Sequence, residues 1–151
     1  LIFGMAALVA ACNSGDKKAT AGDNANDTAA NLTAEQKQQA LSDSSNFTTL
    51  EWIDPIVKDL GKLIKDQSIE ITYRFKNTGS KILVIENVTA PCGCTIPEKP
   101  EQPIAPGEEG VIKAKFNGSG KGTINKTISV RANTSPAVDH TLTFTGEIQE
   151  N

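Results

Sequence analysis

Apolar and polar residues alternate from about residue 48 onward in the pattern of half-buried β-strands. Between Ser68 and Phe75 every second residue is apolar, and the residues between them are polar. A repeat of two residues places one set of side chains on each face of a strand. Further strands are predicted at residues 50–53, 111–116, 123–131 and 140–148, and a run that is apolar on both faces predicts another at residues 81–89.

Turn signals separate the predicted strands. Residues 77–80, 117–120 and 133–136 are rich in the Asn, Gly, Ser and Pro that tight turns favour. No segment after residue 48 has the apolar period of a helix. About seven short strands at this spacing predict an all-β fold, an immunoglobulin-like β-sandwich over residues 48–151.

The aromatic side chains of this region fall mostly on the apolar phase of the strands, which predicts that they pack in the core. They are Trp52, Tyr73, Phe75, Phe116 and Phe144. Prolines recur every third residue from Pro97 to Pro106. This spacing could present a Pro-x-x-Pro ligand, but we favour a stiff crossover between the two sheets.

The N-terminal residues carry a different pattern, an unbroken apolar run that stops at Cys12. The run is too short for a membrane-spanning helix, which needs about 20 residues, but it fits the apolar core of a secretion signal. The sequence LVAAC at residues 8–12 resembles the bacterial lipobox, in which the cysteine becomes lipidated and N-terminal. Residues 1–12 are therefore predicted to be a partial lipoprotein signal peptide, with Cys12 as the lipidation site.

Residues 13–47 are dominated by small and polar residues and contain few large apolar ones. Such a segment cannot bury enough surface to offset the entropy of ordering it, so we predict a disordered, flexible tether. One short helix is compatible with it, because Thr33 and Gln36 have the spacing of a capping box. The predicted location is the cell envelope, with the domain anchored by lipid to the outer membrane on its periplasmic or surface face.

Composition narrows the classes of function. The 15 basic residues are scattered among 18 acidic ones, and a net charge of −3 does not suggest nucleic-acid binding. With one histidine and three cysteines in 151 residues, the chain does not match a Cys₄ or Cys₂His₂ zinc module. No Ser/His/Asp set and no phosphate-binding glycine loop stands out, so we predict that the protein is not an enzyme.

Five short motifs follow one another in an order that resembles a known family. They are DLGKL at residues 59–63, YRFKNTG at 73–79, LVIENV at 83–88, PCGCT at 91–95 and IAPGE at 104–108. Together they resemble domain-of-unknown-function family 1573, which is common in Bacteroidetes, over residues 50–148. The resemblance implies an immunoglobulin-like sandwich in a secreted or lipid-anchored protein, and it implies no activity.

With Cys12 lipidated, Cys92 and Cys94 are the cysteines left for chemistry. A disulfide between them comes first in our order, because the compartment is oxidising and Gly93 should accept the backbone angles of so small a ring. The small loop would stabilise the fold little and make the bond easy to reduce. The other states are a soft-metal pair and two inert thiols.

Zinc would need further ligands, and His140 is the one histidine available. In an immunoglobulin-type sandwich the strand before the cysteines and the last strand run parallel in one sheet. His140, expected to be an exposed strand residue, should then lie at the opposite pole from Cys92 and Cys94. Two-coordinate Cu(I) is the metal option that this topology leaves open.

The sequence thus predicts a lipid-anchored, non-catalytic binding or structural module without a resident cofactor. Its expected partners are the membrane, through Cys12, and an envelope protein or glycan that contacts the loops or an exposed strand edge. Nucleic acid is not an expected partner. The alternative is a redox-active or Cu(I)-handling protein that uses Cys92, Gly93 and Cys94.

Overall fold

The structure, a computed structural model, describes residues 32–150. The predicted signal segment, Cys12 and residues 13–31 of the predicted linker lie outside the described residues. The elements are α1 (Ala34–Ser42), a 3-10 turn (Ser44–Asn46), β1 (Leu50–Trp52), β2 (Val57–Ile64), β3 (Ile69–Asn77), β4 (Ile85–Thr89), β5 (Thr95–Glu98), β6 (Glu109–Phe116), β7 (Gly122–Ala132) and β8 (Asp139–Gln149).

The strands form two four-stranded sheets, which confirms the predicted β-sandwich. The first sheet has the order β1-β3-β6-β5, and the second has the order β2-β8-β7-β4. Neighbouring strands are antiparallel except for β2, which runs parallel to β8. The described residues therefore contain eight strands where the sequence predicted about seven.

Aromatic side chains fill the space between the sheets, as predicted. Tyr73, Phe75, Phe116 and Phe144 have no exposed surface. The Phe116 and Phe144 rings, one from each sheet, lie 5.5 Å apart, and Trp52 contacts Phe75 edge-on at 5.6 Å. Burying such rings is the main favourable contribution to a core of this size.

The strand β2 was not predicted, because a bulge breaks its alternation. Its pairing with β8 shifts between Asp59 and Lys62, and Gly61 inside the bulge has a φ of 65°. The extra residue changes which side chains face inward, so the buried Leu63 is out of phase with the first half of the strand. A search for strict alternation therefore finds no strand here.

The prediction of a proline-rich crossover between the sheets is wrong. Pro97 lies within β5, and the remaining prolines fall between β5 and β6, which are neighbours in the first sheet. Leu83 and Ile104 exchange backbone hydrogen bonds of 2.8 and 2.9 Å, which fix this loop against the segment before β4. The chain crosses between the sheets earlier, at residues 90–94.

The helix α1 confirms the capping box. The Gln36 N–H donates to the Thr33 hydroxyl, and the Gln36 side chain accepts from the Thr33 N–H. The Lys37 amine donates to the Glu101 carbonyl at 3.4 Å, so ordered contacts begin before residue 48. Among residues 32–150 no helix is long and apolar enough to cross a membrane.

One end of the sandwich is fastened by two fully buried asparagines, and we call it the asparagine end. Asn77, the last residue of β3, donates its amide to the carbonyls of Lys81 and Ile104 at 2.7 and 3.0 Å. Its amide oxygen accepts from the Thr48 hydroxyl at 2.8 Å. A buried amide is stabilising only when its donors and acceptor are paired, and these are.

Asn133, directly after β7, makes the corresponding hydrogen bonds beside the second sheet. Its amide oxygen accepts from the Val84 N–H at 2.7 Å, and its amide nitrogen donates to the carbonyls of Asn46 and Ile82. The Asn133 carbonyl also accepts from the Thr48 N–H at 3.0 Å. Thr48 thus connects the two asparagines and, through them, the two sheets.

Replacing Asn133 by alanine should lower the free energy of unfolding by about 3 kcal/mol, because each buried polar group left unpaired costs about 1–3 kcal/mol. Urea unfolding followed by tryptophan fluorescence measures the loss. Asn125→Ala is the matched control, since Asn125 is exposed on the same strand. Equal stability losses in the two variants would contradict the assignment.

Candidate functional site

Cys92 and Cys94 lie in the turn that carries the chain from β4 in the second sheet to β5 in the first. Their sulfurs are joined in a disulfide, with the Cα atoms 5.3 Å apart. This is the state that our sequence-based order placed first. We call residues Cys92, Gly93 and Cys94 the cysteine turn.

Backbone hydrogen bonds hold the cysteine turn independently of its sulfurs. The Thr95 N–H donates to the Cys92 carbonyl at 3.3 Å, and the Asn117 N–H donates to the Cys94 carbonyl at 3.0 Å. The second bond extends the pairing of β5 with β6 by one residue beyond the strand ends. The turn is therefore shaped by the sheet and its own backbone as well as by the disulfide.

The disulfide lies between two half-buried cysteines, beside a buried hydroxyl. Both cysteines are half-buried and Gly93 between them is exposed, while Cys94 packs against the core. The Thr95 hydroxyl lies 3.8 Å from the Cys92 sulfur and 3.9 Å from the Cys94 sulfur. A thiol reagent can reach such a bond from solvent, and a released thiolate would have a hydrogen-bond donor next to it.

Gly93 was expected to accept the backbone angles that the small ring imposes. Its φ lies outside the left-handed region, and a Cβ placed on it would meet no atom within 4 Å. Neither a left-handed φ nor a lack of space requires glycine at this position. By contrast, a Cβ on Gly79 would overlap the Thr48 hydroxyl at the asparagine end.

His140 lies far from the cysteine turn, as predicted. The ring centroid of His140 is 6.0 Å from that of Trp52. Trp52 on β1 pairs with Phe75 on β3, and Phe75 pairs with Gly110 near the start of β6. The cysteine turn pairs with Asn117, just beyond the end of β6. Gly110 and Asn117 are seven residue steps apart along the chain, which is about 23 Å of strand.

The expectation that His140 is exposed is wrong. It is half-buried, and its Nε2 lies 2.8 Å from the Thr134 hydroxyl. Burial lowers the pKa of His140, and the neighbouring Asp139 carboxylate opposes this effect. His140 is thus part of the packing at the asparagine end and is too distant to share a ligand with the cysteines.

Between residues 32 and 150 the structure brings no three His, Cys, Asp or Glu side chains together in a metal-binding arrangement. In the disulfide state the two cysteines have no thiolate to offer a metal. Binding of Cu(I) to the reduced pair stays a prediction.

A second feature, which the sequence analysis missed, is a group of exposed aliphatic side chains at the corner between β1 and β2. Ile53, Ile56 and Val57 are 40%, 45% and 59% exposed, and we call them the corner patch. The corner joins the first sheet to the second, and the Thr143 N–H of β8 donates to the Ile56 carbonyl at 2.7 Å. The only sequence signal was an apolar pair directly after Asp54 and Pro55, where a turn needs none.

Asp54 holds this corner in place. Its carboxylate accepts from the Arg74 guanidinium at 2.8 and 3.1 Å, from the Arg74 N–H at 3.0 Å and from the Lys58 amine at 3.2 Å. The hydrogen bond from the Arg74 side chain holds the pKa of the Asp54 carboxyl far below its usual range. The Asp54 side chain is only 12% exposed. Together these bonds fix the backbone that precedes Ile56 and Val57.

Lys58 and Tyr73 connect the corner to strands β3 and β8. The Lys58 amine lies 5.0 Å from the centroid of the Tyr73 ring and also donates to the Thr72 carbonyl. The Tyr73 hydroxyl donates to the Thr143 carbonyl at 2.8 Å, which links β3 to β8 across the sandwich. Burial raises the pKa of Tyr73 to about 12, so this donor keeps its proton at neutral pH.

Comparison with known families gives one match. Residues 51–148 match the model of a family described as "Protein of unknown function (DUF1573)". None of the curated proteins matches the chain.

Solved structures share the fold at low sequence identity. A protein of unknown function from Porphyromonas gingivalis W83 matches with a TM-score of 0.61 and 17% identity over 70% of this chain and 49% of its own. The secreted serine protease VesC from Vibrio cholerae matches with a TM-score of 0.51 and 12% identity over 67% of this chain and 23% of its own.

The PapD-like domain 7 of human CEP192 is similar at a TM-score of 0.51 and 12% identity, over 70% of this chain and 87% of that domain. At these identities the likeness shows the fold alone, an immunoglobulin-like β-sandwich. The chain spans about half the length of the Porphyromonas protein and less than a quarter of the Vibrio protease.

The two glycines should respond differently to alanine. We expect Gly93→Ala to change the free energy of unfolding by less than about 0.5 kcal/mol, because open solvent receives the methyl group. Gly79→Ala should cost about 1–3 kcal/mol, because the methyl group overlaps Thr48. Urea unfolding without reductant makes the comparison. Equal losses would show that the ring does need glycine.

Proposed function

The chain belongs to the family of proteins of unknown function DUF1573, and we propose that it is a non-catalytic binding module held at the cell envelope by a lipid on Cys12. In this proposal the lipid anchors the chain to the outer membrane, and the β-sandwich contacts a second envelope component. The contact surface is the corner patch.

The observation that carries the proposal is the distribution of exposed aliphatic side chains. Of the five large apolar residues that are well exposed among the described residues, Ile53, Ile56, Val57 and Ile64 fall on β2 or the corner before it. The fifth, Ile96, stands alone on β5. Scattered apolar residues need no explanation, but Ile53, Ile56 and Val57 stand close together in the chain at one corner, and such a concentration favours a contact surface.

The chemistry of the corner patch favours a protein over a glycan. Its side chains are branched aliphatics, which gain free energy by burial against another apolar surface. Sugar rings are commonly bound against exposed aromatic faces, whereas Trp52, the nearest aromatic residue in the chain, is half-buried between Phe75 and His140. We therefore take an envelope protein as the partner, and a glycan as an outcome that would contradict the proposal.

The fixed backbone under the patch supports the same function. Asp54 is bonded to β3 through Arg74, and the Ile56 carbonyl is bonded to β8, so the backbone of the corner is held by both sheets. A surface that does not have to be ordered on binding loses little entropy when a partner docks.

Lipid attachment is tested by replacing Cys12 with serine, which removes the thiol that forms the thioether. In the producing bacterium fed an alkyne fatty acid, we expect the wild-type chain to be labelled and Cys12→Ser to be unlabelled. A variant with both Cys92 and Cys94 changed to serine is the control and should stay labelled. Persistent labelling of Cys12→Ser would contradict the proposed anchor.

Partner binding is tested with a photo-crosslinking amino acid at position 57 of the full chain in living cells. We expect an adduct with one protein of defined mass, identified by mass spectrometry. Position 96 is the matched control, because Ile96 is 61% exposed and Val57 is 59% exposed. The same probe at position 96 should give no such adduct.

The identified protein then allows a quantitative test. With both proteins purified, Ile56→Glu should raise Kd at least tenfold, because a buried charge without a partner is costly, while Ile96→Glu should leave Kd unchanged. Equal adducts at positions 57 and 96, adducts with glycan only, or equal Kd values in the two variants would overturn the proposed surface.

A further inference from the structure

We propose that the Cys92–Cys94 disulfide is an exchangeable redox site, which accepts an electron pair from a dithiol protein of the envelope and is returned to the disulfide by a disulfide oxidant. This inference does not depend on the corner patch, and only the envelope location of the partner rests on the proposed function. It rests on the small contribution of the bond to the stability of the fold, on the partly exposed position of the two cysteines, and on the Thr95 hydroxyl next to both sulfurs.

The bond contributes little to the fold. Only one residue separates the cysteines, so the bond closes a very small loop and removes little entropy from the unfolded chain. The bonds from Thr95 to Cys92 and from Asn117 to Cys94 join backbone atoms, so reduction does not remove them. The turn can therefore keep its shape in both redox states.

The sulfurs can be approached from outside. β5 is an edge strand with β6 as its one neighbour in the sheet, so no described strand covers the outer side of the turn. Pro91 and Gly93 beside the cysteines are exposed. Thiols attack a disulfide that has an accessible face, and both cysteines keep part of their surface exposed.

The two sulfurs are not equivalent. Cys94 packs against the core cluster, whereas Cys92 is not among the residues that do. We therefore infer that an incoming thiolate attacks the Cys92 sulfur. A mixed disulfide forms between the partner and Cys92, and Cys94 leaves as a thiolate beside the Thr95 hydroxyl.

A second exchange step completes the reduction of the Cys92–Cys94 bond. The partner's second thiolate attacks the partner's first sulfur, which is bonded to Cys92 in the mixed disulfide. Cys92 then leaves as the second thiolate of this chain. The partner dithiol has become a disulfide, the Cys92–Cys94 bond has become two thiols, and two electrons and two protons have moved. A protein disulfide of oxidising potential reverses the sequence.

Thr95 is the positioning residue for this chemistry. Its side chain is buried, with 4% of its surface exposed, and its hydroxyl lies within 3.9 Å of both sulfurs. A hydrogen bond donated to a thiolate favours the ionised form and makes the leaving sulfur a better leaving group. The hydroxyl can serve whichever sulfur is released.

The first test measures exchange on the full chain in detergent. Equimolar reduced thioredoxin is the dithiol probe, and alkylation followed by mass spectrometry counts thiols at equilibrium. We expect at least a tenfold excess of reduced over oxidised chain, with an unchanged urea midpoint after reduction. A bond that stays mostly oxidised, or a midpoint that falls as far as in Asn133→Ala, would identify a structural disulfide and overturn the proposal.

The second test concerns direction and the role of Thr95. Thioredoxin without its second active-site cysteine should trap a mixed disulfide that maps to Cys92. Thr95→Val, which keeps the side-chain shape, should raise the pKa of the reduced thiols and shift the exchange equilibrium at least threefold toward the oxidised chain. Ser129→Ala, an exposed hydroxyl lost from β7, is the control and should change neither. An adduct at Cys94, or thiol pKa values unchanged in Thr95→Val, would overturn the assigned roles.

Discussion

The sandwich depends on how its two sheets are joined at the asparagine end. Apolar contacts between sheets are not directional, so they fix one sheet against the other less specifically than hydrogen bonds do. Asn77 and Asn133 supply direction, because each buried amide must meet particular backbone groups. Thr48 bonds to both, and the chain therefore enters the sandwich at the point where the sheets are fastened.

The hydrogen bonds that join the two sheets and the cysteine turn lie at different ends of the sandwich. The cysteine turn pairs with Asn117 at the far end of β6, one strand length from the residues that secure the sheets. A bond there can open without loosening the asparagine end, since the neighbouring pairs of β5 with β6 and β4 with β7 are made by backbone groups. The corner patch, fixed by Asp54 between the sheets, lies on neither end. Redox exchange and partner binding can therefore use different surfaces.

The sequence predicted the fold where alternation was regular and missed it where a local exception intervened. Strands such as β3 and β8 alternate strictly, and their aromatic residues lie in the core. A bulge at Gly61 hid β2, and Pro97 within a four-residue strand hid β5. The cysteine pairing was predicted from the spacing of the two cysteines and from the predicted compartment. The burial of His140 was not predicted, because it arises from contacts with Thr134 and Trp52 that only the folded chain brings together.

Open strand edges invite association, and this sandwich restricts most of its own. On β5 the Thr95 N–H is used by the Cys92 carbonyl and Pro97 has none, so the outer edge offers no donor. On β4 the Lys99 amine occupies the carbonyls of Ile85 and Glu86. The bulge at Gly61 interrupts β2. Addition of a partner strand, which the sequence left open, is therefore disfavoured along these edges. A partner that reaches the corner patch must bind through side chains, and affinity then depends on Ile53, Ile56 and Val57 rather than on backbone pairing.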